Sequence, residues 1–216
     1  MTRTHPSLRL TALLAALVAA TTLGACAPLL LGGAIVGSSI VVTDRRTSGT
    51  QVDDQGIELK GIRKVNDAIG DRGSVSVTSY NRVVLLTGTV LAEADKAAVE
   101  RAAASIENVK SVVNEVAVGT AASFGNRSND TLLTSKVKAS FVDAKDVQVN
   151  AYKVVTERGI VYLLGRVTER EASRASDIAR GVSGVQKVVR VFEIVSEAEL
   201  ADTQPKPAST PASGKP

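Results

Sequence analysis

Apolar positions along this chain follow two rhythms, and the pair of rhythms occurs twice. In the first stretch, Ile62, Val65 and Ile69 fall at helical spacing and predict a helix over Gly56 to Ile69. After Gly73, Val75 and Val77 alternate with polar residues as a half-buried strand does, Tyr80-Asn81-Arg82 turns the chain, and Val83 to Val90 forms a second strand. Glu93 to Ser105 is a second helix with Val99, Ala102 and Ile106 on one stripe, and Val109 to Val118 is a third strand. The second stretch repeats this order. A helix runs from about Asp130 to Phe141, and a strand from Val147 to Val155 carries Val147, Val149 and Tyr152. A turn at Glu157-Arg158-Gly159 leads into a strand ending at Val167. The next helix opens on Thr168 with Glu171 three residues on, a capping box, and its stripe is Ala172, Ala175, Ile178, Ala179 and Val182. Gly181 and Gly184 punctuate its end, and Val185 to Ile194 is the last strand.

The strands repeat in letters as well as in rhythm. "VVLLTGTV" from Val83 aligns with "IVYLLGRV" from Ile160, placing Gly88 on Gly165 and Val90 on Val167. "NVKSVV" from Asn108 aligns with "GVQKVV" from Gly184, so the offset falls from 77 to 76 residues. Two copies of this length are two small domains rather than a solenoid. The expected fold class is α+β: two α-β-β-α-β units, each with two helices on one face of a three-stranded mixed sheet. The hairpin strands pair antiparallel, and the helical crossover lets the third strand lie parallel to one of them. Units of about 65 to 70 residues sit near the lower limit for independent folding, so the two are expected to lean on each other.

Composition changes the picture mainly at the ends. Arg3 and Arg9 precede an apolar run, Leu10 to Leu23, too short to span a bilayer stably. "LGAC" follows at Leu23 to Cys26 and resembles the lipobox of bacterial lipoproteins; the alternative is a plain signal peptide with Cys26 incidental. Ala27 stands where Asp, in well-studied Gram-negative lipoproteins, resembles an inner-membrane retention signal, which favours transfer to the outer membrane. The expected division is therefore 1–25 signal peptide, 26–54 lipidated Cys26 and membrane-proximal linker, 55–119 first domain, 120–128 linker, 129–198 second domain and 199–216 a disordered Pro-rich tail. Within the linker, Pro28 to Val42 is apolar, to be read as membrane-proximal or as a buried strand or hairpin, and Thr43 to Asp54 is polar and extended.

Several chemistries are excluded. His5 is the only His and leaves with the signal, and Cys26 is the only Cys. Imidazole triads, thiol nucleophiles and Cys/His zinc sites therefore have no residues to build them, and no catalytic residue, metal or cofactor is expected. The candidate carboxylate pairs, Asp53-Asp54 and Glu169/Glu171, read as solvated charges: the first lies in the expected linker, and the second pair does not share a helix face. Gly88 and Gly165 lie inside strands and mark a bulge or close packing rather than a phosphate loop. The formal charge of +4 drops to about +2 once Arg3 and Arg9 are removed, too mild for a nucleic-acid binder.

The repeat with its central Gly, and "GVQKVV" after the second helix, resemble BON domains. The order lipobox, "GTQVDD" at Gly49 to Asp54, BON, "SNDT" at Ser128 to Thr131, and BON with "VTEREA" at Val167 to Ala172 resembles the dual-BON outer-membrane lipoproteins. The resemblance implies a non-enzymatic periplasmic protein, tethered to the outer membrane, that supports envelope integrity and is enriched at the division site. It also implies binding of anionic phospholipids, phosphatidylglycerol and cardiolipin, through the first helix of the second domain. The site carried over is Arg127, Thr131, Leu132, Ser135, Lys136, Lys138 and Ala139, with Cys26 as the lipidated residue.

That helix can be laid out from its spacing. Leu133, Val137 and Phe141 share the core face, while Leu132 lies about 100° away with Lys136 and Ala139 near it. Asn129 or Asp130 can cap the start, leaving backbone N–H groups for phosphate. By resemblance, Leu132 stands where a close relative carries Trp. The alternative is that Leu132 packs against the first domain and the lysines are merely solvated. A different function is also open: an adaptor for an envelope protein, such as the barrel-assembly machinery, held at a sheet edge or helix groove.

Overall fold

The computed structural model describes residues 44–120 and 124–203. The signal peptide, Cys26, the apolar segment Pro28 to Val42 and the Pro-rich residues after 203 lie outside them. In the first domain, α1 (Ser48–Ile69) is followed by the hairpin β1 (Gly73–Tyr80) and β2 (Val83–Val90), then α2 (Glu93–Ala104), β3 (Ser111–Asn114) and β4 (Ala117–Val118). In the second, α3 (Phe124–Asp143) precedes a 3-10 turn at Val149–Ala151, the hairpin β5 (Tyr152–Glu157) and β6 (Ile160–Val167), α4 (Glu169–Gly181), β7 (Lys187–Ile194) and α5 (Glu197–Thr203). Each hairpin is antiparallel, and β3, β4 and β7 run parallel to the second strand of their own hairpin. The α+β fold of two mixed sheets is the expected one.

Local differences have physical causes. The helix α1 begins at Ser48, capped by the Thr47 hydroxyl, which accepts from the Thr50 N–H, so "GTQVDD" is helical rather than an extended linker. Its buried stripe is Ile57, Gly61, Val65 and Ile69, and Ile62 is 46 % exposed. The stripe passes through Gly61 because a Cβ there would lie 2.7 Å from Val77 Cγ1: the helix sits too close to β1 for a side chain. In α2, Ala103 rather than Ala102 is the deep residue between Val99 and Ile106. The expected third strand breaks between Asn114 and Ala117, opposite Gly88, whose φ of +116° kinks β2. In the second domain β7 runs unbroken along β6. The strand expected from Val147 starts only at Tyr152 because the 3-10 turn comes first, and α5 takes the first residues expected in the tail.

Both hairpin turns put their two central residues at positive φ: Asn81 and Arg82 (50°, 68°), and Arg158 and Gly159 (54°, 77°). This geometry matches the right-handed twist of the strands but is unfavourable for Asn and Arg. In each domain a helix carboxylate holds the turn. Asp54 accepts from the backbone N–H of Asn81 (2.8 Å) and Arg82 (2.7 Å) and from Ser79 Oγ (2.7 Å). Asp130 accepts from the N–H of Arg158 (2.7 Å) and Gly159 (2.8 Å). The expectation that Asp53-Asp54 are solvated linker charges is thus corrected. Asp54 is 2 % exposed, and Asp53 pairs with Arg82 at 2.6 Å.

The two domains belong to one compact unit. On one face each sheet meets its own helices: Val84, Leu86 and Val90 pack with Ile57, Val65 and Val99, and Val161, Leu163 and Val167 with Val137, Phe141 and Ala175. The other faces meet each other through Tyr80, Leu85, Tyr162 and Leu164, with Val113, Val155 and Val189 around them. The result is four layers, helices-sheet-sheet-helices. This explains why β2 and β6 read as continuous apolar runs: both of their faces are buried. Each of the four central side chains contributes roughly 1.5–3 kcal/mol of burial, which is how two domains of marginal size support one another. At the edge of the seam Lys153 Nζ donates to Glu58 Oε1 (2.6 Å) and to Ser79 O (3.2 Å), and Asn81 pairs with Glu193.

Candidate functional site: the outward face of helix α3

Helix α3 lies in an outer layer and is held there from inside. Leu133, Val137 and Phe141 are buried, Asp130 is bonded to the β5–β6 turn, and Thr134 Oγ1 donates to Thr156 Oγ1 at 2.7 Å. The inward side of the helix is therefore satisfied without Leu132. Leu132 is 61 % exposed and belongs to none of the buried clusters.

At 100° per residue, Leu132, Ser135, Ala139 and Val142 line up along the side facing away from the core. Val142, 66 % exposed, was missed in the sequence because the helix was expected to stop at Phe141. Lys136 flanks this stripe on one side and Lys138 on the other; both are exposed, and neither is paired with a carboxylate among the described residues. Two stripes on one helix, Leu133-Val137-Phe141 inward and Leu132-Ala139-Val142 outward, account for the two leucines among lysines.

The other expected site residues separate. Thr131 Oγ1 donates to Arg127 O and Ser135 Oγ to Thr131 O, both at 3.0 Å, so their protons are engaged on the helix backbone. Arg127 is about 140° around the helix from Leu132. It lines a different feature, a polar cleft of about 210 Å³ with Ser74, Ser76, Thr89 and Glu157. Burial pushes the Glu157 carboxyl up, the Asp130 charge adds to this, and Arg127 offsets part of it. Lys136 and Ala139 border a groove of about 500 Å³ between α3 and α4, where Asp143 and Asp177 also lie. Those carboxylates disfavour an anion inside the groove, leaving the lysines on the outer rim as the cationic groups.

The expected capped terminus beside Leu132 is absent. The helix α3 starts at Phe124, so Asn129 and Asp130 lie within it, and the Asp130 carboxylate is occupied by the hairpin turn. Among the described residues, no cluster of His, Cys, Asp and Glu could hold a metal ion, and no helix is long and apolar enough to cross a membrane.

A repeated sheet-and-helix unit with a turn-anchoring carboxylate in its first helix defines the class. The BON domain profile matches residues 53–120 and 129–196, and the chain belongs to the BON family. The chain is 42 % identical over 184 residues to the Outer membrane lipoprotein DolP of Haemophilus influenzae (strain ATCC 51907 / DSM 11121 / KW20 / Rd), covering 83 % of this chain and 94 % of that protein. It is 32 % identical to the 21 kDa hemolysin of Actinobacillus pleuropneumoniae, over 70 % of this chain and 79 % of that one. It is also 32 % identical to the Osmotically-inducible protein Y of Escherichia coli (strain K12), over 65 % and 72 %.

Proposed function

We propose that this protein is a periplasm-facing outer-membrane lipoprotein, anchored by acyl chains on Cys26, that reads anionic phospholipid with the outward face of α3 and so supports envelope integrity near the division site. It performs no catalysis. The observation that carries the lipid contact is the outward stripe Leu132-Ala139-Val142 between two exposed lysines, which have no carboxylate partner among the described residues, on a helix whose inward face is already filled. Leu132 and Val142 enter the acyl boundary, and Lys136 and Lys138 meet phosphates of phosphatidylglycerol or cardiolipin. Burial of each apolar side chain yields about 1.5–3 kcal/mol, and each lysine near an anionic leaflet adds about 1 kcal/mol. The acyl chains contribute about 0.8 kcal/mol per buried CH₂, far more in sum. The lipid thus holds the protein, and the helix selects the surface.

Substituting Leu132→Glu together with Lys136→Glu is expected to leave membrane fractionation unchanged while abolishing the NMR shifts that anionic micelles induce in the chain from Thr43 onward. Unchanged shifts would show that α3 is not the contact. An adaptor role, with the barrel-assembly machinery as one envelope partner, is favoured by a separate feature. On α1, in the opposite helix layer, Val52, Leu59 and Ile62 are exposed. Partner capture retained by the α3 variant would separate the two roles.

A further inference from the structure

Asp44 to Arg46, expected as plain linker, is bonded through its side chains to both domains. Arg45 Nη1 donates to Glu171 Oε2 (2.8 Å) and Arg166 O (3.1 Å), and its Nη2 to Glu171 Oε1 (2.7 Å) and Gln148 Oε1 (3.1 Å). All of these acceptors belong to the second domain. Arg46 turns the other way. Its Nη1 donates to Asp54 Oδ2 at 2.8 Å, its guanidinium lies 4.3 Å from the centre of the Tyr80 ring, and Asp44 braces it at 2.6 Å. The Arg45 and Glu171 side chains are 6 % and 13 % exposed. Glu171 keeps its expected place in the α4 capping box but is the Arg45 partner rather than a solvated charge, while Glu169 has the exposed pair with Arg190. The hydrogen-bonded Arg45 guanidinium holds the Glu171 carboxyl below the ordinary glutamate range.

We propose that Arg45 and Arg46 form a clasp that fastens the membrane tether to both domains at once, so that the leash from Cys26 ends at Asp44 and cannot lengthen toward α1. Arg46 sits at a bend, where its backbone N–H donates to Asp44 Oδ1 at 3.0 Å, and the two adjacent arginines reach two bodies. Bidentate guanidinium–carboxylate pairing fixes direction as well as distance. A free linker reaching to Asp54 would let the body swing about α1; the clasp moves the last swivel upstream of Asp44. Seventeen residues lie between Cys26 and Asp44, and the eighteen Cα steps reach at most about 65 Å. This inference rests on anchoring at Cys26 but not on which lipid α3 meets.

The test uses the full chain, acylated at Cys26, in vesicles of phosphatidylcholine alone, where α3 finds no anionic headgroup. Trypsin cleavage after Arg45 and Arg46 is followed by mass spectrometry. The distance from a dye on Asp67→Cys, an exposed position of α1, to headgroup-labelled lipid is followed by energy transfer. In Glu171→Gln, which can still cap α4, cleavage is expected to rise about tenfold as the strap opens, and the distance distribution to broaden. Arg45→Lys, whose single nitrogen cannot reach four acceptor atoms spread over three residues, is expected to do the same, and Glu169→Gln to do neither. Cleavage within about twofold of the parent, or an opened strap with an unchanged distance distribution, would overturn the clasp. Either result leaves the lipid contact of α3 standing, because no anionic lipid is present.

Discussion

Replacing Gly88 with alanine is expected to destabilise the protein by about 2–6 kcal/mol, from backbone strain of about 1–3 kcal/mol and overpacking of similar size. At φ +116° a side chain is strained, and a Cβ would stand 2.1 Å from Ser74 O on the paired strand. That oxygen belongs to the β1 backbone, so no rotamer change relieves the clash. Gly165, its counterpart, is a graded control. Its Cβ would meet Ala151 O at 2.6 Å, but its φ is not positive. Urea midpoints of the two variants test this. Gly88→Ala is expected to unfold well before Gly165→Ala, and a Gly88→Ala protein as stable as the parent would remove the reason for the break between β3 and β4.

Asp54→Ala is expected to cost about 3–5 kcal/mol, because removing one partner strands buried donors. Two backbone N–H groups of a strained turn, the Ser79 hydroxyl and the Arg46 guanidinium all lose their acceptor. Burial alone would raise the Asp54 pKa, but hydrogen bonds from Ser79, Arg82, Arg46 and Asn81 together hold it below its ordinary 3.8. A carboxyl depressed in the folded state contributes stability that is fully present above its unfolded value and lost as pH falls through the folded one. Parent protein should therefore lose stability on acidification below 3.8. Asp54→Asn, which carries no titrating group there, should be less stable at neutral pH and show a flatter acid limb. Thermal melts across the acid range check both, and parallel curves would contradict the assignment.

What was legible in the sequence was whatever is decided locally. Thr168 and Glu171 make their capping box within one helical turn. The hairpins at Asn81-Arg82 and Arg158-Gly159 follow from alternation broken by turn residues, and Leu133, Val137 and Phe141 announce a buried face by spacing alone. What was missed depends on partners far along the chain. Gly49, Gly56 and two aspartates disguise the first turns of α1, which are helical because Asp54 meets Ser79, Asn81 and Arg82 from another element. The strap was read as linker because Arg45 finds Glu171 more than a hundred residues away. The continuous apolar run of β2 said that both faces are buried but not by what; the occupant of the second face is the other sheet. On α3, Leu132, Lys136 and Lys138 are exposed, as helical spacing from the core face implies, whereas Arg127 lies about 140° around the helix from Leu132. Val142 lies past the expected helix end at Phe141, which falls two residues short of the observed end at Asp143.

The central claim is that the outward stripe of α3 recognises an anionic lipid surface. The most direct measurement is residue-by-residue NMR of the chain from Thr43 onward, titrated in parallel with phosphatidylglycerol-containing and purely zwitterionic micelles. The account predicts shifts confined to α3, largest at Leu132, Lys136, Ala139 and Val142, with the anionic micelles only. Shifts centred on another element, or equal responses to both micelles, would contradict it.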